Sequence, residues 1–191
     1  MRTYKTEGII LKRLDYGEAD RIITLFTKHY GKLRVLAKGV RRLTSRKSGS
    51  LELFNQARIF VDERKGLGIV TEVELVNSFK SWRKDLKKVA LAYQFCELVD
   101  KLTPEKMENE KVYKLLREAL FNLSQVTSYE SPASAEASAG KQVTSYELSL
   151  LEFLGFWPKG KPVNIDLERY IESLIEKKLK TPPFLKRLSS F

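Results

Sequence analysis

Two different periodicities divide this chain. Up to residue 80 the chain reads as strands, two of which alternate apolar with polar residues at the period of a half-buried strand. In KLRVLAKG, Leu33, Val35 and Ala37 fall on one face, and Lys32, Arg34, Leu36 and Lys38 fall on the other. GIVTEVELV repeats the pattern, with Ile69, Val73 and Leu75 opposed to Glu72 and Glu74. TEGIILKRL and RIITLFT are further β-rich runs, and LELFNQARIFVDE is a longer one. Turn residues separate them: Asp15-Tyr16-Gly17-Glu18, Tyr30-Gly31 and Arg64-Lys65-Gly66. Five strands joined by short turns predict a small closed barrel. The OB-fold is the barrel of this size that binds nucleic acids.

From Trp82 onward the spacing becomes helical. Leu86, Val89, Tyr93 and Cys96 recur at steps of three and four. Thr103-Pro104-Glu105 has the form of a helix start, with a capping hydroxyl, a first-position proline and an acid in the first turn. Val112, Leu115, Leu116, Ala119, Leu120 and Leu123 make the next stripe. Tyr146, Leu150, Leu151, Phe153 and Leu154 make a third. Asp166 is placed to cap a fourth helix carrying Leu167, Tyr170, Ile171 and Leu174, with Pro182 and Pro183 to end it. SPASAEASAGK, about residues 131–141, is small, polar and without period, and reads as a flexible loop. The pentapeptide VTSYE stands on both sides of it, at 126–130 and 143–147, for no evident physical reason. The expected architecture is α+β, with a five-stranded OB barrel over residues 1–80 and a helical domain over residues 81–191.

Charge sharpens this picture. The chain of 191 residues has a formal net charge of +11. Residues 1–80 hold 17 basic and 9 acidic groups, against 18 and 15 in residues 81–191, so the excess belongs to the barrel. A field of that sign favours polyanions. The one cysteine, Cys96, excludes an internal disulfide and a cysteine zinc site. No signal-peptide core is evident at MRTYKTEGIILKRLDYG and no apolar run is long enough to span a bilayer, so a cytoplasmic location is expected.

Residues 21–51 carry nine Lys/Arg and no carboxylate. An internal stretch flanked by strands is not a disordered tail, and no amphipathic basic helix accompanies it to suggest a membrane. Lys32, Arg34 and Lys38 on one strand face, continued by Arg41, Arg42, Arg46 and Lys47, make a stripe suited to phosphates. Tyr16, Phe26 and Tyr30 lie close enough in sequence to stack on bases, although Phe26 sits in an apolar run.

Catalytic chemistry finds less support. Asp15, Glu18 and Asp20 have the right type for Mg²⁺, but a turn wants such residues for backbone reasons. His29 is the only histidine. Cys96 sits on an apolar stripe without a nucleophilic partner set. Gly66-Leu67-Gly68 lacks the further glycine and lysine of a phosphate loop. No cofactor or metal is implied, and the expected protein is not an enzyme.

The order of these residues resembles a known family. TEGIILKRLDYGEADRIITLFTKHYGKLRVLAKGVRR is similar to the N-terminal region of the RecO DNA-repair proteins. GLGIVTEVELVNSF resembles that family's next block, and LSLLEFLGFWP its helical-domain block. The resemblance implies an OB-fold followed by a helical domain. It implies binding of single- and double-stranded DNA, annealing of complementary strands, and action with RecR to load RecA onto strands covered by single-strand binding protein. It also implies a place on the DNA surface for Lys38, Arg41 and Arg42, within AKGVRR. One departure is clear. Many members follow the LLGF-like block with a four-cysteine zinc module, whereas FLGFWP here runs into KGKPVNIDLERY without a cysteine. The acidic tail of single-strand binding protein would suit Lys177, Lys178, Lys180, Lys186 and Arg187. Two alternatives fit the same barrel: an RNA-binding OB protein, and a Mg²⁺-dependent nuclease built on Asp15, Glu18 and Asp20.

Overall fold

The computed structural model describes residues 2–124 and 132–182. Five strands, β1 (Arg2–Tyr16), β2 (Asp20–Thr27), β3 (Gly31–Ala37), β4 (Gln56–Glu63) and β5 (Gly68–Asn77), close into a barrel in the order β1-β2-β3-β5-β4. Every pairing is antiparallel except that of β3 with β5. This is the OB-fold. β1 is long enough to serve two neighbours: its first half pairs with β4 and its second with β2. The two halves meet at Gly8, where a Cβ would press within 2.9 Å of both Leu25 and the Phe26 carbonyl, so only glycine fits the corner.

The interior draws apolar residues from every strand, but on β5 it takes Val70, while Leu75 of the expected face is exposed. Ile10, Ile23, Leu25, Leu33, Val35, Ala57, Ile59, Val61 and Val70 are all buried, and Val40 and Leu51 from the β3–β4 loop join them. The long run before β4 is strand only from Gln56; Leu51–Asn55 belongs to the loop.

The seam between β3 and β5 is short. Only Val35 and Leu36 pair, with Gly68 and Ile69. The first half of β3 is instead met by a strap over residues 103–109. Lys32 forms a parallel bridge with Glu105, and the Lys106 N–H donates to the Lys32 carbonyl at 2.8 Å. Gly31, at φ 61°, lies so close to the Met107 carbonyl that a Cβ would overlap it. Thr103-Pro104-Glu105 therefore starts no helix. The helix starts later, and Asn109 caps it: its Oδ1 accepts from the Val112 N–H at 3.1 Å.

Four helices follow the barrel strands: α1 (Leu86–Leu102), α2 (Glu110–Asn122), α3 (Pro132–Leu154) and α4 (Leu167–Ile175). The chain forms two compact units, Met1–Phe79 with Thr103–Tyr113, and Lys80–Leu102 with Lys114–Phe191. The strap thus belongs with the barrel although its sequence lies beyond residue 80. In α1 the buried side includes Leu91, Phe95, Leu98, Val99 and Leu102, while Leu86 and Tyr93 of the expected stripe are exposed. Of the next stripe, Val112, Leu116, Ala119 and Leu120 of α2 are buried, as is Leu123 just beyond it, while Leu115 is half-buried.

Two expectations fail here. The stretch read as a loop is helical from Pro132, because four alanines outweigh the small polar residues between them and proline is tolerated in a first turn. The copy of VTSYE at 126–130 lies outside the described residues; the copy at 143–147 is part of α3. α4 begins as expected, with Asp166 accepting from the Arg169 N–H, but it stops at Ile175 with Glu176 left-handed at φ 53°, well before Pro182. This helix occupies the segment after FLGFWP. No helix among the described residues is long and apolar enough to cross a membrane.

Candidate nucleic-acid interface

The basic loop runs from the end of β3 to the start of β4. Gly39 turns the chain out of the strand at φ 64°, and its N–H donates to Asp20 Oδ1 at 2.7 Å. The next donors fasten the loop to the β1–β2 turn. The Arg41 N–H meets the Ala19 carbonyl at 2.9 Å, and Arg41 Nη1 meets the Gly17 carbonyl at 3.2 Å. A tight turn follows, with the Ser45 N–H on the Arg42 carbonyl at 2.9 Å. Further on, Lys47 Nζ donates to the Val70 carbonyl on β5 at 3.1 Å. Asn55 Nδ2 then binds the Gly49 and Ser50 carbonyls at 2.9 and 3.1 Å. With Val40 and Leu51 plugged into the core, the loop is anchored at both ends and in its middle.

The seven cations singled out in the sequence divide by environment. Lys32 is buried, so it does not emerge on the outer strand face as the alternation suggests. The strap covers it, and alternation within β3 carries no trace of a segment seventy-odd residues away. Arg34 is exposed, with Nη1 3.8 Å from Glu105 Oε1 on the strap. Arg41 and Lys47 hold the loop in place, Arg41 also lying 3.5 Å from Asp15 Oδ2. Lys38, Arg42 and Arg46 are exposed, and no side-chain partner engages them among the described residues. Of the seven, these three are the most open to a polyanion.

Neighbouring carboxylates are occupied. A hydrogen bond from Arg21 at 2.8 Å, aided by the charges of Arg41 and Arg13, holds the Asp15 carboxyl below its ordinary range. Arg13 itself pairs with Glu52. Asp20 is engaged by Gly39. Among the described residues no group of three His, Cys, Asp or Glu is arranged to hold a metal ion, Asp15, Glu18 and Asp20 included. His29 sits at the β2–β3 turn, 3.7 Å from Glu108 of the strap. Cys96 is buried, and that burial pushes its thiol up, away from the reactive thiolate.

Of the aromatic candidates, Phe26 is core, Tyr30 stacks on Tyr4 at 4.7 Å between ring centroids, and Tyr16 is 55% exposed. Leu43 also stands fully exposed on the cation loop. It follows Arg41-Arg42 with no periodic signal to mark it.

Comparison with known proteins agrees with this fold. The family model described as Recombination protein O N terminal matches residues 1–79, and that described as Recombination protein O C terminal matches residues 83–160. The DNA repair protein RecO of Roseiflexus sp. (strain RS-1) is 37% identical over 158 residues, covering 83% of this chain and 52% of that protein. The DNA repair protein RecO of Symbiobacterium thermophilum is 33% identical over 158 residues, 83% of this chain and 59% of its own length. That of Caldanaerobacter subterraneus subsp. tengcongensis is 36% identical over the same 83%, and 60% of its own length is covered. The chain therefore spans little more than half the length of these relatives.

Proposed function

Since the chain belongs to the RecO family of DNA-repair proteins, we propose that its barrel binds DNA through the β3–β4 loop and brings complementary strands together without covalent chemistry. The observation that carries this reading is the set of three exposed cations, Lys38, Arg42 and Arg46, without side-chain partners among the described residues, on a loop fixed by its neighbours. Annealing requires two like-charged strands to approach. Cations lower their repulsion, and contacts to phosphate leave the base edges free to pair. Lys32, Arg34, Arg41 and Lys47 enter as supports: Arg41 and Lys47 shape the loop, and Arg34 extends the basic surface along β3.

In this reading the chain is a mediator and not an enzyme. It binds single and double strands, acts with RecR, and helps place RecA on strands coated by single-strand binding protein. The acidic tail of that protein is assigned to the basic segment after α4. There Lys177 and Lys178 are exposed, Lys180 gives its N–H to Glu97 at 3.0 Å, and Lys186 and Arg187 lie outside the described residues.

The test is annealing of complementary labelled oligonucleotides without ATP, together with affinity measured against salt. Arg42→Glu/Arg46→Glu is the variant to use, because reversing Arg41 would also break the turn it holds. Three phosphate contacts give a slope of log K on log[salt] of about −2 on single strands and about −3 on duplex. The variant is expected to flatten the slope and abolish the acceleration. A wild-type slope near zero would remove the DNA reading.

A further inference from the structure

The anchored loop packs its other apolar residues on the core, Leu53 only partly buried, and leaves one out. Val40 and Leu51 are each 1% exposed and Phe54 4%, whereas Leu43 is fully exposed. Slack does not explain this, because hydrogen bonds at Arg41, Arg42 and Lys47 fix the chain on both sides of it. An isolated exposed leucine is ordinary on a protein surface. Its setting is not: Arg42 precedes it and Arg46 follows, both exposed and without side-chain partners among the described residues. Any ligand drawn to those guanidinium groups is a polyanion, and Leu43 can touch it only if that polyanion also offers an apolar surface. Unpaired bases do so, since every base has an apolar face beside its phosphate. Stacked duplex offers far less, its base faces being covered and only thymine methyls showing in the major groove, unless an apolar side chain wedges a step apart.

We propose that Leu43 seats against unpaired bases, so that the loop grips a single strand by its phosphates through Arg42 and Arg46 and by its bases through Leu43. This rests on the DNA reading above and adds to it a preference for unpaired over paired strands. The two kinds of contact separate experimentally. Phosphate contacts release counterions and set the salt slope, whereas an apolar contact releases none and shifts affinity at every salt concentration alike.

Leu43→Ser, with folding checked by thermal melting, is compared with wild type and with Arg42→Glu/Arg46→Glu. The probes are an oligothymidine carrying one 2-aminopurine and a duplex of equal length. The expected result for Leu43→Ser is a loss of single-strand affinity of about tenfold, in line with exposing a buried leucine. Its salt slope should be unchanged, its duplex affinity nearly unchanged, and the 2-aminopurine fluorescence change diminished. Binding by Leu43→Ser with wild-type single-strand affinity and an unaltered fluorescence change would overturn the proposal while leaving the phosphate contacts standing. An equal loss on duplex and single strand would also overturn it. A wild-type protein with no salt-dependent binding to either probe would remove the DNA reading and this proposal together.

Discussion

Glu147 is 5% exposed on α3, and its Oε1 accepts from Gln94 Nε2 at 3.0 Å. Burial, with Glu168 and Asp166 adding repulsion and the Gln94 bond opposing, pushes its carboxyl up from 4.5 to about 7. The folded chain therefore keeps a proton that the unfolded chain releases, so this group's contribution to stability falls as pH rises from about 4.5 to about 7 and is level above that. The penalty at pH 8 is about 3 kcal/mol. Gln94 Oε1 is buried without a partner among the described residues, and an amide at position 147 would supply one. Glu147→Gln should raise the melting temperature at pH 8 and change it little at pH 4; equal shifts at both would refute this account. Glu7, on β1, has the opposite sign. Burial raises its carboxyl, but hydrogen bonds from Gln56 at 2.7 Å and Tyr113 at 2.9 Å and the charge of Arg58 outweigh that and hold it below its ordinary value. Its stabilisation is present above pH 4.5 and is lost as pH falls through the folded value. Glu7→Gln should cost about 1–3 kcal/mol at pH 7 in urea unfolding, and less at pH 3.

At the level of elements, the strap is the feature that a single substitution tests best. Gly31 and Gly17 both have positive φ, at 61° and 56°. Around Gly17 nothing lies within 4 Å of an added Cβ, whereas at Gly31 the Met107 backbone stands in the way. Gly17→Ala should cost about 1 kcal/mol of backbone strain, and Gly31→Ala at least about 2 kcal/mol more through displacement of the strap. Equal losses in urea titrations would mean that the strap does not lean on β3. These elements also show what pattern can reveal. β3 was legible because it buries one face, which alternation reports directly, whereas β2 is buried on both faces and was legible as a β-rich run between turns. The cations of the loop were legible as composition. What escaped was decided elsewhere. Lys32 is covered by residues far along the chain, Arg41 and Lys47 are spent on carbonyls that no spacing announces, and α3 begins in a stretch whose alanines carry no amphipathic stripe. The exposed Leu43 leaves no mark in any periodicity.

For the whole molecule, sequence and compactness give different boundaries. The spacing of apolar residues changes at residue 80, yet the barrel unit also takes Thr103–Tyr113, and Tyr113 reaches Glu7 and Gln56 at its wall. A fragment ending at residue 80 keeps every strand but loses the strap, the Tyr113 hydroxyl and the carboxylates facing Lys28, His29 and Arg34. Its thermal midpoint should fall below that of the barrel in the intact chain, and with a bare β3 edge it should self-associate on size exclusion. A monomeric fragment of unchanged midpoint would show the strap to be dispensable. During synthesis the same arrangement fixes an order of events. The ribosome delivers all five strands first, then α1, and only afterwards the segment that closes the seam. Until then the nascent barrel has an open flank, so the pace at which α1 and the strap emerge governs how long that flank is available to other chains.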